Sequence, residues 1–162
     1  MWEQVRSNGV QVMMKQRVKI LRPLDLVCVL DKWAKQRQEN FVAITLDGSH
    51  SVIKVHHITK GLINRTLVHP RECFYPAVKD YATSVVFAHN HPSGNPEPSS
   101  EDHEVTSRLC MAGSILGFNV LDHLIITKNN GYYSFQQNGK ITDYSCKDSN
   151  LSNFVDRLAA ER

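Results

Sequence analysis

The spacing of apolar residues divides the chain into helical and extended segments. Beyond Pro23, apolar residues recur at three- and four-residue intervals, which predicts a helix that ends near Gln36. Short β-branched runs predict buried strands at 40–46 and 84–88. The segment 52–59 follows a tight-turn signal and is expected to pair antiparallel with the first of these strands.

Boundary residues predict two more helices. Pro70 occupies a first-turn position that tolerates proline, and Pro76 within the same pattern is expected to kink or interrupt the helix. Another helix is predicted to begin at Ser99 and to end with Gly117 as its C-terminal cap. The expected inward stripe of this helix consists of Val105, Leu109, Ala112 and Leu116.

The order of the elements indicates the fold class. Further strands are predicted at 119–127 and 132–135, with a turn at 129–131 between them. The order helix, strand, strand, helix, strand, helix, strand, strand predicts an α/β fold. We therefore expect a single domain in which a mixed β-sheet is flanked by helices.

The domain itself is assigned to residues 23–138, and the two ends of the chain are interpreted separately. Residues 1–22 show weak periodicity and are interpreted as an N-terminal extension or a partial first helix. Residues 139–162 are interpreted as a C-terminal tail, in which the apolar positions of 151–160 predict a short helix.

The composition is that of an ordinary globular protein and narrows the function classes. With 162 residues, 41% hydrophobic and 22% charged, the chain can bury a core without disulfide or metal staples, so a bound metal would serve function. The four cysteines form no C-x-x-C pair. No apolar leader and no run of about 20 apolar residues is recognisable, so a cytoplasmic protein without a membrane segment is expected.

One segment carries chemistry-bearing residues at informative spacing. His89 and His91 follow a predicted strand at positions i and i+2, so their imidazoles point to the same side. A loop rich in proline leads to Ser99 and then to Asp102 in the first turn of a helix. Two imidazoles and a carboxylate suit zinc and leave a fourth position open for water. Ser99-x-x-Asp102 is also typical of a helix capping box.

These residues, with their spacing, resemble the JAMM motif of MPN-domain metalloproteases. The amino-acid sequences of the segments 68–72, 88–99 and 120–126 are similar to the RadC-like JAB domain family. The similarity covers about residues 24–136. The resemblance implies a JAB/MPN fold with a cytidine-deaminase-like layout. The resemblance also implies that His89, His91 and Asp102 hold Zn²⁺ in a metallopeptidase that cleaves a peptide or isopeptide bond of a peptide or protein substrate. The H-x-E and P-C-x-x-C elements of zinc deaminases are missing.

The same resemblance implies two catalytic side chains. Glu39 matches the glutamate that acts as general base, and its alternative interpretation is a solvated charge at a helix end. Glu72 is the competing candidate for the base, although a carboxylate near Pro70 is also favoured by the helix dipole. Ser99 matches the serine that donates a hydrogen bond to the developing oxyanion.

Other features leave alternatives open. Asp122 and His123 end a predicted strand, where they would either orient a ligand imidazole or provide structural polarity. The histidines expected to be exposed are His56, His57 and His103. The RadC resemblance and a net charge of +3 keep a second hypothesis open, DNA binding or a metal-dependent nuclease. No helix-hairpin-helix region is recognisable ahead of the domain, which weakens that hypothesis. A zinc-binding scaffold without chemistry is a third interpretation.

Overall fold

The computed structural model of the protein describes residues 2–7, 10–15, 17–61 and 68–145. Within these ranges the strands are β1 (Trp2–Ser7), β2 (Val10–Lys15), β3 (Asn40–Leu46), β4 (Val52–Lys60), β5 (Ser84–Asn90), β6 (Asn119–Ile126) and β7 (Tyr132–Ser134). The helices are α1 (Pro23–Ala34), α2 (Pro70–Lys79), α3 (Ser100–Leu116) and α4 (Lys140–Ser145).

Five of the described strands form one mixed sheet in the order β4-β3-β5-β6-β7. The pairs β4–β3, β3–β5 and β6–β7 are antiparallel, whereas β5 and β6 run parallel. β3 and β5 lie inside the sheet and are buried along their whole length, as their β-branched sequences predict. The structure therefore confirms the predicted α/β class with a mixed sheet flanked by helices.

Alternate residues of the inner strands face two separate helical layers. Phe41 and Phe87 pack with residues of α2 and α3 on one face of the sheet. Val42 and Ala88 pack with residues of α1 on the other face. Because side chains alternate along a strand, His89 shares the α3 face with Phe87, two residues before it. The end of β5 therefore presents its histidine to the start of α3.

The first residues of the chain correct one expectation. Instead of a partial first helix within residues 1–22, β1 and β2 pair as an antiparallel hairpin with Ser7 opposite Val10. A signal for this arrangement is present in the sequence, since Asn8-Gly9 is a dipeptide favoured in two-residue hairpin loops. The predicted helix at 151–160 lies outside the described residues.

The structure differs from two details of the predicted helices. α2 continues from Pro70 to Lys79, so the predicted interruption at Pro76 does not occur. Pro76 has no backbone N–H, so the carbonyl of Glu72 lacks its usual hydrogen bond within the helix. Glu72 is exposed, so solvent can satisfy that carbonyl. Leu116 is 53% exposed, because Phe118 packs against the core after the chain turns at Gly117. No described helix is both long enough and apolar enough to cross a membrane.

Candidate metal centre

The end of β5 brings two imidazoles together. His89 lies within the strand, and the N–H of His91 donates to the carbonyl of Ile126 at 2.9 Å, which extends the β5–β6 alignment past the strand end. The Nε2 atoms of the two histidines are 3.1 Å apart. His89 is 1% exposed, so one imidazole is buried and the other lies beside it at the surface of the site.

The start of α3 supplies the carboxylate. Ser99 is the N-cap, and its hydroxyl accepts the N–H of Asp102 at 3.2 Å. In return the N–H and hydroxyl of Ser99 donate to Oδ2 of Asp102 at 2.8 and 2.7 Å. Asp102 Oδ1 lies 3.0 Å from Nε2 of His89, and Oδ2 lies 3.5 Å from Nε2 of His91. The capping box therefore exists and holds the carboxylate against both imidazoles.

The loop between strand and helix orients His91. Gly94 has a φ of 89°, a left-handed conformation that favours glycine where the chain reverses. The Nδ1 of His91 lies 2.9 Å from the carbonyl of Asn95. A carbonyl can only accept, so Nδ1 carries a proton, and in the neutral imidazole Nε2 has a free lone pair. This lone pair faces the nitrogen of His89 and the carboxylate.

The electrostatics of the cluster favour a cation. Burial opposes ionisation of Asp102, but the neighbouring imidazoles of His89 and His91 and the hydrogen bond from Ser99 outweigh it and hold the pKa of this carboxyl far below its ordinary value. The hydrogen bond with Asp102 raises the pKa of His91, and Asn95 and Glu39 act in the same direction. A buried carboxylate and converging imidazoles thus attract a proton or a metal ion.

The three side chains fit a divalent ion by distance as well as by chemistry. His89, His91 and Asp102 each offer a ligand atom, all within 4.8 Å of one another, and no other group with three such side chains occurs in the described part of the chain. Zinc bonds of about 2.0–2.1 Å in a tetrahedron require ligand atoms about 3.3 Å apart. The observed separations of 3.0, 3.1 and 3.5 Å are close to this value. These residues could therefore hold a metal ion.

Glu39 lies beside the three candidate ligands because hydrogen bonds from Asn90 anchor the segment that carries Glu39. The side chain of Asn90 accepts the N–H of Asn40 at 2.8 Å and donates to the carbonyls of Gln36 and Gln38 at 3.2 and 3.1 Å. Glu39 precedes β3 and lines a cavity of about 450 Å³ with Pro92 and Ser93 of the loop after His91. Its charge contributes to the raised pKa of His91.

Asn90 anchors the segment that carries Glu39, and the sequence interpretation missed these contacts. It is fully buried between the two strand-end histidines and points to the opposite side of the strand. The signal that could have found it is its place inside the H-x-H motif, where alternation turns the middle residue toward the neighbouring strand. Its partners are up to 54 residues away in sequence.

Glu72, the competing base candidate, occupies a different environment. It is exposed in the first turn of α2, and its carboxylate accepts Nε of Arg71 at 3.1 Å. No described contact joins Glu72 to the three candidate ligands. The structure therefore brings Glu39, but not Glu72, to the cluster.

The histidines expected to be exposed are exposed only in part. His57 is exposed and stacks on Trp33 with ring centroids 5.0 Å apart. His56 is half-buried, with Nε2 2.6 Å from Oδ2 of Asp80. His103 is half-buried as well, with Nδ1 2.6 Å from the hydroxyl of Tyr144. The expectation for His56 and His103 is wrong because partners distant in sequence cover them.

Asp122 and His123 face opposite sides of β6. His123 is buried, and its Nε2 lies 2.9 Å from Nδ1 of His89. The carboxylate of Asp122 instead accepts the hydroxyl of Ser134 and the N–H of Gln136 at 2.6 and 2.9 Å. Burial raises the pKa of Asp122 to about 6. Of the two predicted residues, only His123 contacts a candidate ligand through its side chain.

Comparison with known proteins gives one family and many relatives. The family model of the RadC-like JAB domain matches residues 20–140. A UPF0758 protein from Methanospirillum hungatei is 51% identical over 117 residues, which are 70% of this chain and 52% of that protein. One from Trichlorobacter lovleyi is 50% identical over 103 residues, which are 64% of this chain and 44% of that protein. The chain thus spans about half the length of the curated relatives it matches.

Proposed function

Because the chain belongs to the RadC-like JAB domain family, we propose that it is a zinc-dependent hydrolase, a metallopeptidase that cleaves a peptide or isopeptide bond. The observation that carries the proposal is the convergence of two imidazole nitrogens and a carboxylate within 4.8 Å. An ion held by these three side chains would have a coordination position open for water, as in catalytic zinc sites.

Zinc is the ion that this ligand set suits. Imidazoles favour zinc, copper, iron and nickel, whereas calcium and magnesium prefer oxygen ligands throughout. Two imidazoles and one carboxylate are the protein ligands of established zinc peptidase sites. Bound zinc lowers the pKa of water to about 7 and so supplies a nucleophile at neutral pH.

Glu39 is proposed as the general base of this reaction. Its carboxylate accepts a proton from the attacking water and passes it to the nitrogen of the leaving amine. The hydrogen bonds of Asn90 to the segment 36–40 and the contribution of Glu39 to the raised pKa of His91 support this assignment.

Ser99 is proposed to stabilise the oxyanion. Its hydroxyl donates to Oδ2 of Asp102, so the hydroxyl has to turn from the carboxylate toward the substrate oxygen. The N–H of Ser99 still donates to Oδ2 after this rotation, which keeps Asp102 in place. A donor aimed at the developing charge contributes about 3–4 kcal/mol in comparable sites.

Matched glutamine variants test the assignment. Pools of internally quenched peptides and of isopeptide-linked peptides are incubated with zinc-loaded wild type, Glu39→Gln and Glu72→Gln. For any pool that wild type cleaves, the Glu39→Gln rate should fall by about 10²–10⁴-fold with zinc content unchanged. Glu72→Gln should retain the wild-type rate. Equal rates for wild type and Glu39→Gln, or no cleavage of any pool by wild type, would contradict the proposal.

DNA association remains the second candidate, and one observation favours it. A cavity of about 620 Å³ lined by Lys35, Arg37 and Lys60 adjoins the one that contains Glu39, and both cavities share Arg37. Such cations can contact phosphates. A titration with labelled single-stranded DNA at about 50 mM and about 200 mM salt tests this candidate, because phosphate contacts make affinity fall steeply with salt. Absent or salt-insensitive binding would remove it.

A further inference from the structure

A buried hydrogen-bond chain lies behind the candidate metal centre. Nδ1 of His89 is 2.9 Å from Nε2 of His123, and Nδ1 of His123 is 2.6 Å from the hydroxyl oxygen of Thr106. The same hydroxyl lies 2.6 Å from the backbone carbonyl of Asp102. The chain therefore begins at one candidate ligand and ends at the backbone of another.

The proton positions in this chain follow from its last member. A carbonyl only accepts, so the single hydroxyl proton of Thr106 goes to Asp102. The oxygen of Thr106 must then accept a hydrogen bond from the Nδ1–H of His123. A neutral His123 with its proton on Nδ1 has a lone pair on Nε2. This lone pair accepts a hydrogen bond from the Nδ1–H of His89. The remaining nitrogen of His89, Nε2, is left with a lone pair that points at Asp102 and His91.

The surroundings of His123 hold this arrangement in one orientation. The imidazole is fully buried, and it stacks on Phe135 at an interplanar angle of 10° with centroids 5.0 Å apart. Phe41 contacts it edge-on at 5.4 Å. Close contact with two aromatic side chains opposes a rotation of the ring that would exchange its two nitrogens.

We propose that His123 and Thr106 are positioning residues that fix the tautomer of His89, so that its Nε2 presents a lone pair to the metal ion. This inference rests on the metal centre of the proposed function and adds two residues that do not bind the ion themselves. A metal ligand that donates its other N–H to a fixed acceptor is held in orientation, and loss of such an acceptor weakens metal binding by about 10–100-fold.

A substitution at Thr106 best distinguishes the proposed positioning role from a role in packing alone. In a Thr106→Val variant the shape is retained, but the hydroxyl that anchors the Nδ1 proton of His123 is lost. His123 can then carry its proton on Nε2 and donate to Nδ1 of His89. That places the proton of a neutral His89 on Nε2, where it has to be displaced before the metal can bind.

The first test reads the tautomer without metal. In ¹⁵N-labelled metal-free protein, long-range ¹H–¹⁵N spectra distinguish the protonated from the unprotonated imidazole nitrogen, and a His123→Gln variant identifies the signals of His123. We expect His123 to be neutral with its proton on Nδ1. A proton on Nε2, or a charged ring at neutral pH, would overturn the inference even if the protein binds zinc.

The second test measures zinc affinity by competition with a chromogenic chelator. Thr106→Val should bind zinc about 10–100-fold more weakly than wild type, and Thr106→Ser, which restores the hydroxyl, should regain most of that affinity. Thr45→Val is the matched control, since Thr45 is equally buried but donates to Asp80 on another part of the sheet. Unchanged affinity in Thr106→Val, or the same loss in Thr45→Val, would overturn the inference.

The two tests separate the inference from the proposed function. If wild type binds zinc but Thr106→Val binds it equally well, the positioning role is wrong and the metal centre stands. If wild type binds no divalent metal, the proposed function fails and the role toward the metal fails with it. The tautomer of His123 is still decided by the metal-free spectra in that case.

Discussion

Two histidine–aspartate contacts of similar length have different surroundings. His89 Nε2 lies 3.0 Å from Asp102, and His56 Nε2 lies 2.6 Å from Asp80. The first pair is almost fully buried, with side chains 0% and 3% exposed, whereas the side chains of the second are 18% and 16% exposed. Distance alone therefore does not distinguish a candidate metal centre from a structural contact.

The partners of each pair make the difference. Asp80 Oδ2 accepts the hydroxyl of Thr45 at 2.6 Å as well as contacting His56, so protein protons satisfy this carboxylate. At Asp102 a second imidazole converges, and its Nδ1 is committed to the carbonyl of Asn95, so that Nε2 brings another lone pair. A histidine–aspartate contact can become a metal centre when a second imidazole brings its lone pair to the same point.

The largest effect is expected when the carboxylate of Asp102 is neutralised, and the same change at Asp80 serves as the control. Asp102→Asn removes the charged ligand while keeping an oxygen that can accept the N–H of Ser99. We expect zinc to fall from about one ion per chain to background in Asp102→Asn, and Asp80→Asn to retain the wild-type content. Elemental analysis of the reconstituted variants measures this. Loss of zinc in both variants would remove the contrast between the two pairs.

Zinc should also stabilise the fold through one pair only. Ligand at about 100 times its dissociation constant adds about 2.7 kcal/mol to the free energy of unfolding. Urea unfolding of wild type and Asp80→Asn should show this gain when zinc replaces chelator, and Asp102→Asn should show none. A gain of equal size in Asp102→Asn would mean that zinc binds elsewhere.

Asp80 should contribute less to the free energy of unfolding at acidic pH. Burial alone would raise the pKa of Asp80, but hydrogen bonds from Thr45 and His56 outweigh it and hold the pKa below its ordinary value of 3.8. A carboxyl with a lowered folded-state pKa stabilises the protein above its unfolded pKa and loses that contribution as pH falls through the folded value. Asp80→Asn should therefore cost about 1.5–3 kcal/mol near neutral pH.

The same variant, measured by urea unfolding across a pH series with chelator present, supplies the check. The difference in unfolding free energy between wild type and Asp80→Asn should be smaller below pH 3.8 than near neutral pH. A difference that persists or grows in acid would show that the Asp80 carboxylate does not act through its charge.

The smallest effect is expected at Thr45. Thr45→Val keeps the shape but removes one of the hydrogen bonds to Asp80, while His56 remains in contact. The loss should be about 1 kcal/mol in unfolding free energy, with zinc content unchanged. Thr45→Ser should lie between the two proteins. A loss above about 3 kcal/mol would indicate that packing, rather than the hydrogen bond, dominates at this position.

Elements with strong local signals were predictable from sequence. The buried strands β3 and β5 follow from β-branched runs, and α3 follows from a cap and from periodic apolar residues. The convergence of His89, His91 and Asp102 could be expected because a strand end, a stiff loop and a helix start are close in sequence. These signals depend on neighbours within about one turn or one loop.

Contacts between distant segments could not be predicted in this way. His89 meets His123 across 34 residues, His56 meets Asp80 across 24, and Asn90 reaches Gln36 across 54. Such pairs depend on strand order and register, which one sequence does not specify locally. The wrong expectation that His56 is exposed and the missed contacts of Asn90 both arise from such distant pairs.

The central claim is that His89, His91 and Asp102 together hold a divalent metal ion. Anomalous diffraction at the zinc absorption edge, from crystals grown with zinc, tests this claim most directly. We predict one strong peak within about 2.0–2.2 Å of Nε2 of both histidines and of a carboxylate oxygen of Asp102. No peak between these three side chains, or a peak only elsewhere on the protein, would contradict the account.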